Sequence, residues 1–104
     1  MHDIRFSDAA VFEAIEAKEW YRLGSAEKSR LFEKKVDDAV LLLRQFPKIG
    51  SLIESGEGAR RLLVTGFPYY IVYEVQSRTI HVVAFAHTSR DPESWRSRLK
   101  NLET

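Results

Sequence analysis

The sequence predicts an α+β domain in which a helical hairpin packs on a small antiparallel sheet, in the order β-α-α-β-β-β-α. Two changes of pattern carry this reading. Up to Pro47, apolar residues recur every three to four positions, the spacing of a helix face. From Arg61 onward, β-branched and aromatic residues gather in short runs divided by turn residues. A chain of 104 residues, 44% of them hydrophobic, can bury one core and is too short for two, so a single domain over residues 1–104 is expected.

Ile4 and Phe6 alternate with polar neighbours as a short strand, and Ser7 followed by Asp8 supplies a helix cap and a favourable first-turn charge. Val11, Ala14 and Ile15, flanked by Phe12, share the apolar face expected for the first helix, which Gly24 ends. Ser25 caps a second helix whose apolar positions are Phe32, Val36, Ala39, Val40, Leu43 and Phe46, and Pro47 stops it. Residues 47–59 are read as a surface loop, because Gly50, Ser51, Ser55, Gly56 and Gly58 break the periodicity.

Three antiparallel strands follow, at residues 61–64, 69–75 and 79–86. Gly66, Phe67 and Pro68 make the first turn and Gln76, Ser77 and Arg78 the second, both short enough to force a meander. Side chains alternate across a strand, so Ile71, Tyr73 and Val75 share one face and Tyr70, Val72 and Glu74 the other. One of these faces should pack on the helices. Asp91 then caps a final helix, with Pro92 in its first position and Trp95, Leu99 and Leu102 along its apolar edge.

Composition narrows the function. No apolar run approaches the roughly 18 residues of a membrane span, and charges throughout the first 25 residues argue against a signal peptide, so a cytoplasmic protein without a membrane partner is expected. There is no cysteine, and the three histidines lack metal-ligand spacing, so no metal is expected. Residues 1–57 hold nine Lys and Arg against eleven Asp and Glu, whereas residues 58–104 hold seven against four. This −2 against +3 permits an anionic partner at the C-terminal half and falls well short of a dedicated nucleic-acid footprint.

The element order, with the strings ARRLLVTGFPYYIVYEV and IHVVAFAHTSRDPESW, resembles the RelE/ParE toxin superfamily of type II toxin–antitoxin systems over nearly the whole chain. The most specific parts are Gly66-Phe67-Pro68-Tyr69 with the aromatic strand after it, and the run into His87, Arg90, Asp91, Pro92 and Trp95. The resemblance implies one of two activities, ribosome-dependent messenger RNA cleavage or poisoning of DNA gyrase, and fold alone does not separate them.

Cleavage by attack of a ribose 2′-hydroxyl needs a proton acceptor, a proton donor and cations facing the developing charge. The ribonuclease branch carries basic residues on the strand of 61–64, on the strand of 69–75 directly after an aromatic residue, and just after the strand of 79–86. Arg61 matches the first position, although Leu63 stands where a second cation is often found. Tyr70 stands where those nucleases carry an arginine, and a phenol lacks the charged fork that would stabilise a phosphorane-like state. Arg90 matches the third position, and His87 beside it has a side chain of the type that exchanges protons near neutral pH.

A nuclease would therefore use His87, Arg90 and Arg61, and the residues expected to meet a target are Arg61, Tyr70, His87, Arg90 and Trp95. All but Arg61 have a structural alternative. Arg90 can pair with Asp91 or Glu93, His87 can satisfy a backbone group, and Tyr69, Tyr70, Tyr73 and Trp95 can be core. Trp20, Tyr21 and Arg22 form an aromatic and basic cluster that either meets a partner or covers the sheet.

With Tyr70 in place of the arginine, the chain looks closer to the ParE-like branch, whose members bind and poison gyrase without a known active site of their own. The resemblance then implies a non-enzymatic toxin that needs no cofactor, with DNA gyrase as target and a cognate antitoxin as partner. A disordered antitoxin segment would fold against the domain as a helix along the hairpin or a strand on the sheet edge. The alternatives are a ribosome-dependent endoribonuclease, with ribosome and messenger RNA as partners, and a toxin-like interaction module without toxicity.

Overall fold

The structure, a computed structural model, describes residues 1–54 and 58–99. Strand β1 (Asp3–Phe6) leads into helices α1 (Asp8–Gly24) and α2 (Ala26–Gln45). Strands β2 (Ser51–Leu52), β3 (Arg60–Leu63), β4 (Tyr69–Gln76) and β5 (Thr79–His87) follow, and the short helix α3 (Glu93–Arg96) comes last. They form one five-stranded sheet in the order β1-β5-β4-β3-β2. The expected helical hairpin and meander are both present.

Serines set the helix boundaries. The Ser7 hydroxyl accepts the Ala10 amide at 3.1 Å and starts α1. Ser25 serves two helices at once, because its amide donates to the Tyr21 carbonyl and closes α1 while its hydroxyl accepts the Lys28 amide and opens α2. A one-residue joint of this kind forces the helices to fold back on each other.

The sheet is antiparallel from β2 to β5, but β1 joins β5 in parallel, with Asp3 opposite Thr79 and Phe6 opposite Val82. This refines the purely antiparallel expectation: two helices separate β1 from the meander, and after them the chain re-enters the sheet with β5 running alongside β1. The loop expected over 47–59 also contains a strand, since Ser51 and Leu52 pair with Arg61 and Arg60. Ser55 and Gly56, assigned to that loop, and Leu102, assigned to the last helix, lie outside the described residues.

The middle strand divides its side chains as predicted. Ile71, Tyr73 and Val75 face the hairpin and join a core of Phe32, Leu43, Phe67, Ile80, Val82 and Phe85. Tyr70 and Val72 face away and meet a second, smaller core made by Ala59, Val83, Ala84, Ala86, Trp95 and Leu99. A bulge in β5 shifts the register from Val72 opposite Ala84 to Tyr73 opposite Val82, which leaves Val83 as the extra residue.

The buried face of α1 differs from the expectation. Ala10 and Ala17 are buried and Ala14 and Tyr21 pack beside them, whereas Val11, Phe12 and Ile15 are exposed. Small side chains at positions 10, 14 and 17 let the helix lie close to β5 and α2, and the large apolar residues are thereby turned outward. In α2, Phe32, Ala39 and Leu43 are buried as expected, Val36 packs against the core, and Phe46 is exposed just past the helix end.

A trench and a stacked arginine on opposite sides of the sheet

The residues expected at a site separate into two places. On the face turned away from the hairpin, the Arg61 guanidinium carbon lies 4.6 Å from the centroid of the Tyr70 ring, a cation–π contact that fixes both side chains. Leu63, two residues along the same strand face, is exposed. Trp95 belongs to the same side but is only 3% exposed, so its ring packs in the second core and offers almost no surface to a target.

His87 is on the hairpin side. It stands opposite Tyr69 in the β4–β5 ladder, and the two rings meet edge to face at 5.2 Å. The Tyr69 ring in turn stacks on Phe85 at 5.2 Å within the hairpin-side aromatic cluster. His87 Nδ1 accepts the Ser89 amide at 3.1 Å and lies 2.7 Å from the Ser89 hydroxyl, which leaves Nε2 to carry the proton of the neutral ring. Serving a backbone group is the structural role available to it.

Arg90 pairs with neither of the neighbours named from the sequence. Asp91 accepts the Glu93 amide at 2.9 Å, and Glu93 pairs with Arg96 at 2.7 Å. Arg90 reaches instead across the fold, and its Nη1 donates to Glu13 Oε2 on α1, 77 residues away in sequence. The same carboxylate accepts from Arg98 through both oxygens, at 3.0 and 3.1 Å, and from the Phe85 amide at 3.0 Å.

Burial alone would raise the Glu13 pKa. The donors from Arg98, Arg90 and the Phe85 amide together overcome that penalty and hold the carboxyl below the usual carboxylate range. Burial works unopposed on the Tyr69 phenol, which is pushed above its ordinary value. The acid is therefore kept charged and the phenol neutral at physiological pH.

Between α1 and the end of β5 these groups enclose a shallow trench of about 280 Å³, lined by Glu13, Glu16, Trp20, Tyr69, His87 and Arg90 among others. Trp20 forms its outer wall and is 70% exposed. The cluster of Trp20, Tyr21 and Arg22 thus divides. Tyr21 points inward, 5.0 Å from both Phe32 and Phe67, Trp20 points outward, and Arg22 is held by Glu19. Beyond the trench, Val11, Phe12, Ile15 and Leu23 continue an exposed apolar face along α1.

The structure brings His87 and Arg90 together along the trench and keeps Arg61 and Tyr70 on the other face of the sheet. Arg61 thus stands on the opposite face of the sheet from His87 and Arg90. Sequence reasoning missed Glu13 and left open whether Trp20 is exposed, which the fold decides. The available signal for Glu13 was a carboxylate set among the alanines at 10, 14 and 17, which is an unusual neighbour for a solvated acid.

A family described as "ParE toxin of type II toxin-antitoxin system, parDE" matches residues 4–92 of this chain. Among solved structures, the chain is similar to one titled "Chromosomal ParDE TA system from P. aeruginosa", with a TM-score of 0.70 and 17% sequence identity. The match covers 86% of this chain and 98% of that one, and at this identity the likeness is one of fold. No curated protein sequence matches.

Proposed function

Because this chain belongs to the ParE toxin family of type II toxin–antitoxin systems, we propose that it acts by binding DNA gyrase and poisoning it. The observation that favours occupancy over cleavage is the separation just described: Arg61 is stacked on Tyr70 on one face of the sheet, while His87 and Arg90 border a trench on the other. General acid–base cleavage requires its proton carriers and its cations around one phosphate. Binding makes no such demand, and a fixed guanidinium beside an exposed indole is the composition found at the centres of protein interfaces.

The partner in such a system is a cognate antitoxin. The outward face of α1, with Val11, Phe12, Ile15, Trp20 and Leu23 exposed, suits an amphipathic helix laid along the hairpin. That placement accounts for large apolar residues at positions where a solitary domain would carry polar ones.

The test is induced expression without antitoxin, with pulse labelling of DNA and protein synthesis and a supercoiling assay on purified gyrase. Early arrest of DNA synthesis with loss of supercoiling is expected. Early translation arrest with intact supercoiling would replace this reading with messenger RNA cleavage, and harmless expression would leave an interaction module without toxicity. Arg90→Ala is expected to weaken growth arrest while remaining folded, because Glu13 keeps Arg98 and the Phe85 amide. A folded variant with an unchanged growth curve would remove Arg90 from the target surface.

A further inference from the structure

β5 runs on beyond the end of β1. The pairing of the two strands stops at Phe6 opposite Val82, and side chains serve the outer edge of β5 after that point. Ser7 donates to the Val83 carbonyl at 3.4 Å, Arg98 donates to the same oxygen at 3.0 Å, and Glu13 accepts the Phe85 amide. Glu13 thus stands in for a missing strand and has two guanidinium groups gathered on it, with its side chain 12% exposed.

One carboxylate between two guanidinium groups leaves the cluster one charge positive. Arg98, whose side chain is 26% exposed, has its fork committed to both oxygens of Glu13 and to the Val83 carbonyl, and it does not line the trench. Arg90 gives Nη1 to Glu13, is one third exposed, and lines the trench together with His87 and Trp20. An unanchored arginine would lose considerable rotamer entropy on meeting a partner, whereas one already held by a carboxylate loses less.

We propose that Glu13 is the positioning residue for Arg90 in the action of the toxin, holding its guanidinium at the mouth of the trench where a target meets it. The proposal rests on the reading of Arg90 as a target-contact residue and is independent of which target is bound. It predicts a dependence that simple loss of stability does not produce, namely that Glu13 matters to toxicity only while Arg90 is present.

The experiment is a double-mutant cycle read by growth arrest at matched soluble protein levels, with thermal midpoints measured on the same proteins. Glu13→Gln is expected to require about tenfold more protein for the same arrest, since a charge-assisted hydrogen bond becomes a neutral one. In the Arg90→Ala background the same change is expected to cost no further toxicity. Arg98→Ala strips Glu13 of its other guanidinium without touching Arg90, and should keep toxicity within about twofold while lowering the midpoint. If Glu13→Gln fails to accumulate, Glu13→Asp, which keeps the charge and shortens the reach, takes its place in the cycle.

Full toxicity of a folded Glu13→Gln protein overturns the proposal, as do losses that multiply in the double variant or an Arg98→Ala protein as impaired as Glu13→Gln. Failure of the underlying reading has a different signature. An Arg90→Ala protein as toxic as the parent shows that Arg90 does not meet the target, even if NMR of the Arg90 guanidinium in the parent shows the side chain held by Glu13. The gyrase assay is separate from both outcomes.

Discussion

The two faces of the sheet are built on different principles. On the hairpin side five aromatic rings interlock: Phe32 lies 5.0 to 5.8 Å from Tyr21, Phe67, Tyr69 and Phe85, mostly edge to face. On the far side Trp95 and Leu99 rest on Ala59, Ala84, Ala86, Val72 and Val83, with the Tyr70 ring packed against them. The first arrangement is redundant, since each ring has several partners. The second has two large buried side chains, Trp95 and Leu99, and the segment carrying both is tied to the sheet by the arginine contacts around Glu13. Stability is therefore concentrated on the side that carries α1, where an antitoxin helix would dock.

Truncating the central ring of each side measures that difference. Phe32→Ala removes the residue touched by four other rings and should cost about 3–5 kcal/mol, at the upper end because backbones on both sides hinder collapse of the cavity. Against a typical domain stability of about 5–15 kcal/mol, such a variant should accumulate poorly or melt far below the parent. Trp95→Ala should cost about 3 kcal/mol and act locally. Amide exchange would show α3 losing protection while β4 and β5 keep theirs. Equal global destabilisation by the two changes would mean that the sheet has one core with two lobes.

Gly50 allows the comparison to be sharpened at the edge of the sheet. Its amide donates to the Tyr73 hydroxyl at 2.9 Å, and that hydroxyl donates to the Pro47 carbonyl at 2.7 Å. Arg60 Nη1 donates to the carbonyls of Lys48 and Gly50 at 3.0 and 2.7 Å. A Cβ at position 50 would lie 2.6 Å from the Tyr73 hydroxyl and 2.8 Å from the Arg61 carbonyl, one of which is backbone and cannot give way. Gly50→Ala should therefore cost about 1–3 kcal/mol, as overpacking does, and release the segment that carries β2. A midpoint within about 1 °C of the parent would show that the segment moves aside freely.

Much of the fold was legible because its signals are local. Ser7 and Ser25 act as caps whatever surrounds them, and Gly66 and Ser77, at φ of 84° and 58°, take up turn conformations that divide the meander. The inward face of α1 was not legible. Val11, Phe12 and Ile15 have the spacing of a core face, and a surface that awaits a partner chain obeys the same pattern as one that meets its own sheet. The stripe of Ala10, Ala14, Ala17 and Tyr21 has equally good helical spacing, and only the distance between helix and sheet decides for it. The parallel entry of β1 depends likewise on a neighbour far away in sequence, and the two residues of β2 are too few to show a strand pattern. At the site, Arg61, Tyr70, His87 and Arg90 were readable one at a time, but their division between two faces and the partnership of Arg90 with Glu13 follow from the completed fold.

The smallest effect expected concerns pH, and it tests whether the carboxylate that bridges α1, β5 and the last segment stabilises the fold through its charge. The Glu13 carboxyl titrates near 4.5 in an unfolded chain and lower in the folded protein. Above the unfolded value neither state binds the proton, so the contribution is present in full and constant. Between the two values the unfolded chain takes up a proton that the folded protein refuses, so stability falls as pH falls; below the folded value the contribution is gone. The Gln variant has no such proton to bind. The gap in thermal midpoint between parent and Glu13→Gln should therefore be level from neutral pH to about pH 5.5, where the unfolded carboxyl is still largely ionised, and narrow progressively below pH 4.5. Parallel curves down to pH 3 would mean that Glu13 acts through the shape of its hydrogen bonds, which Gln partly reproduces, and the charge would then add nothing to the bracing of the Trp95 side.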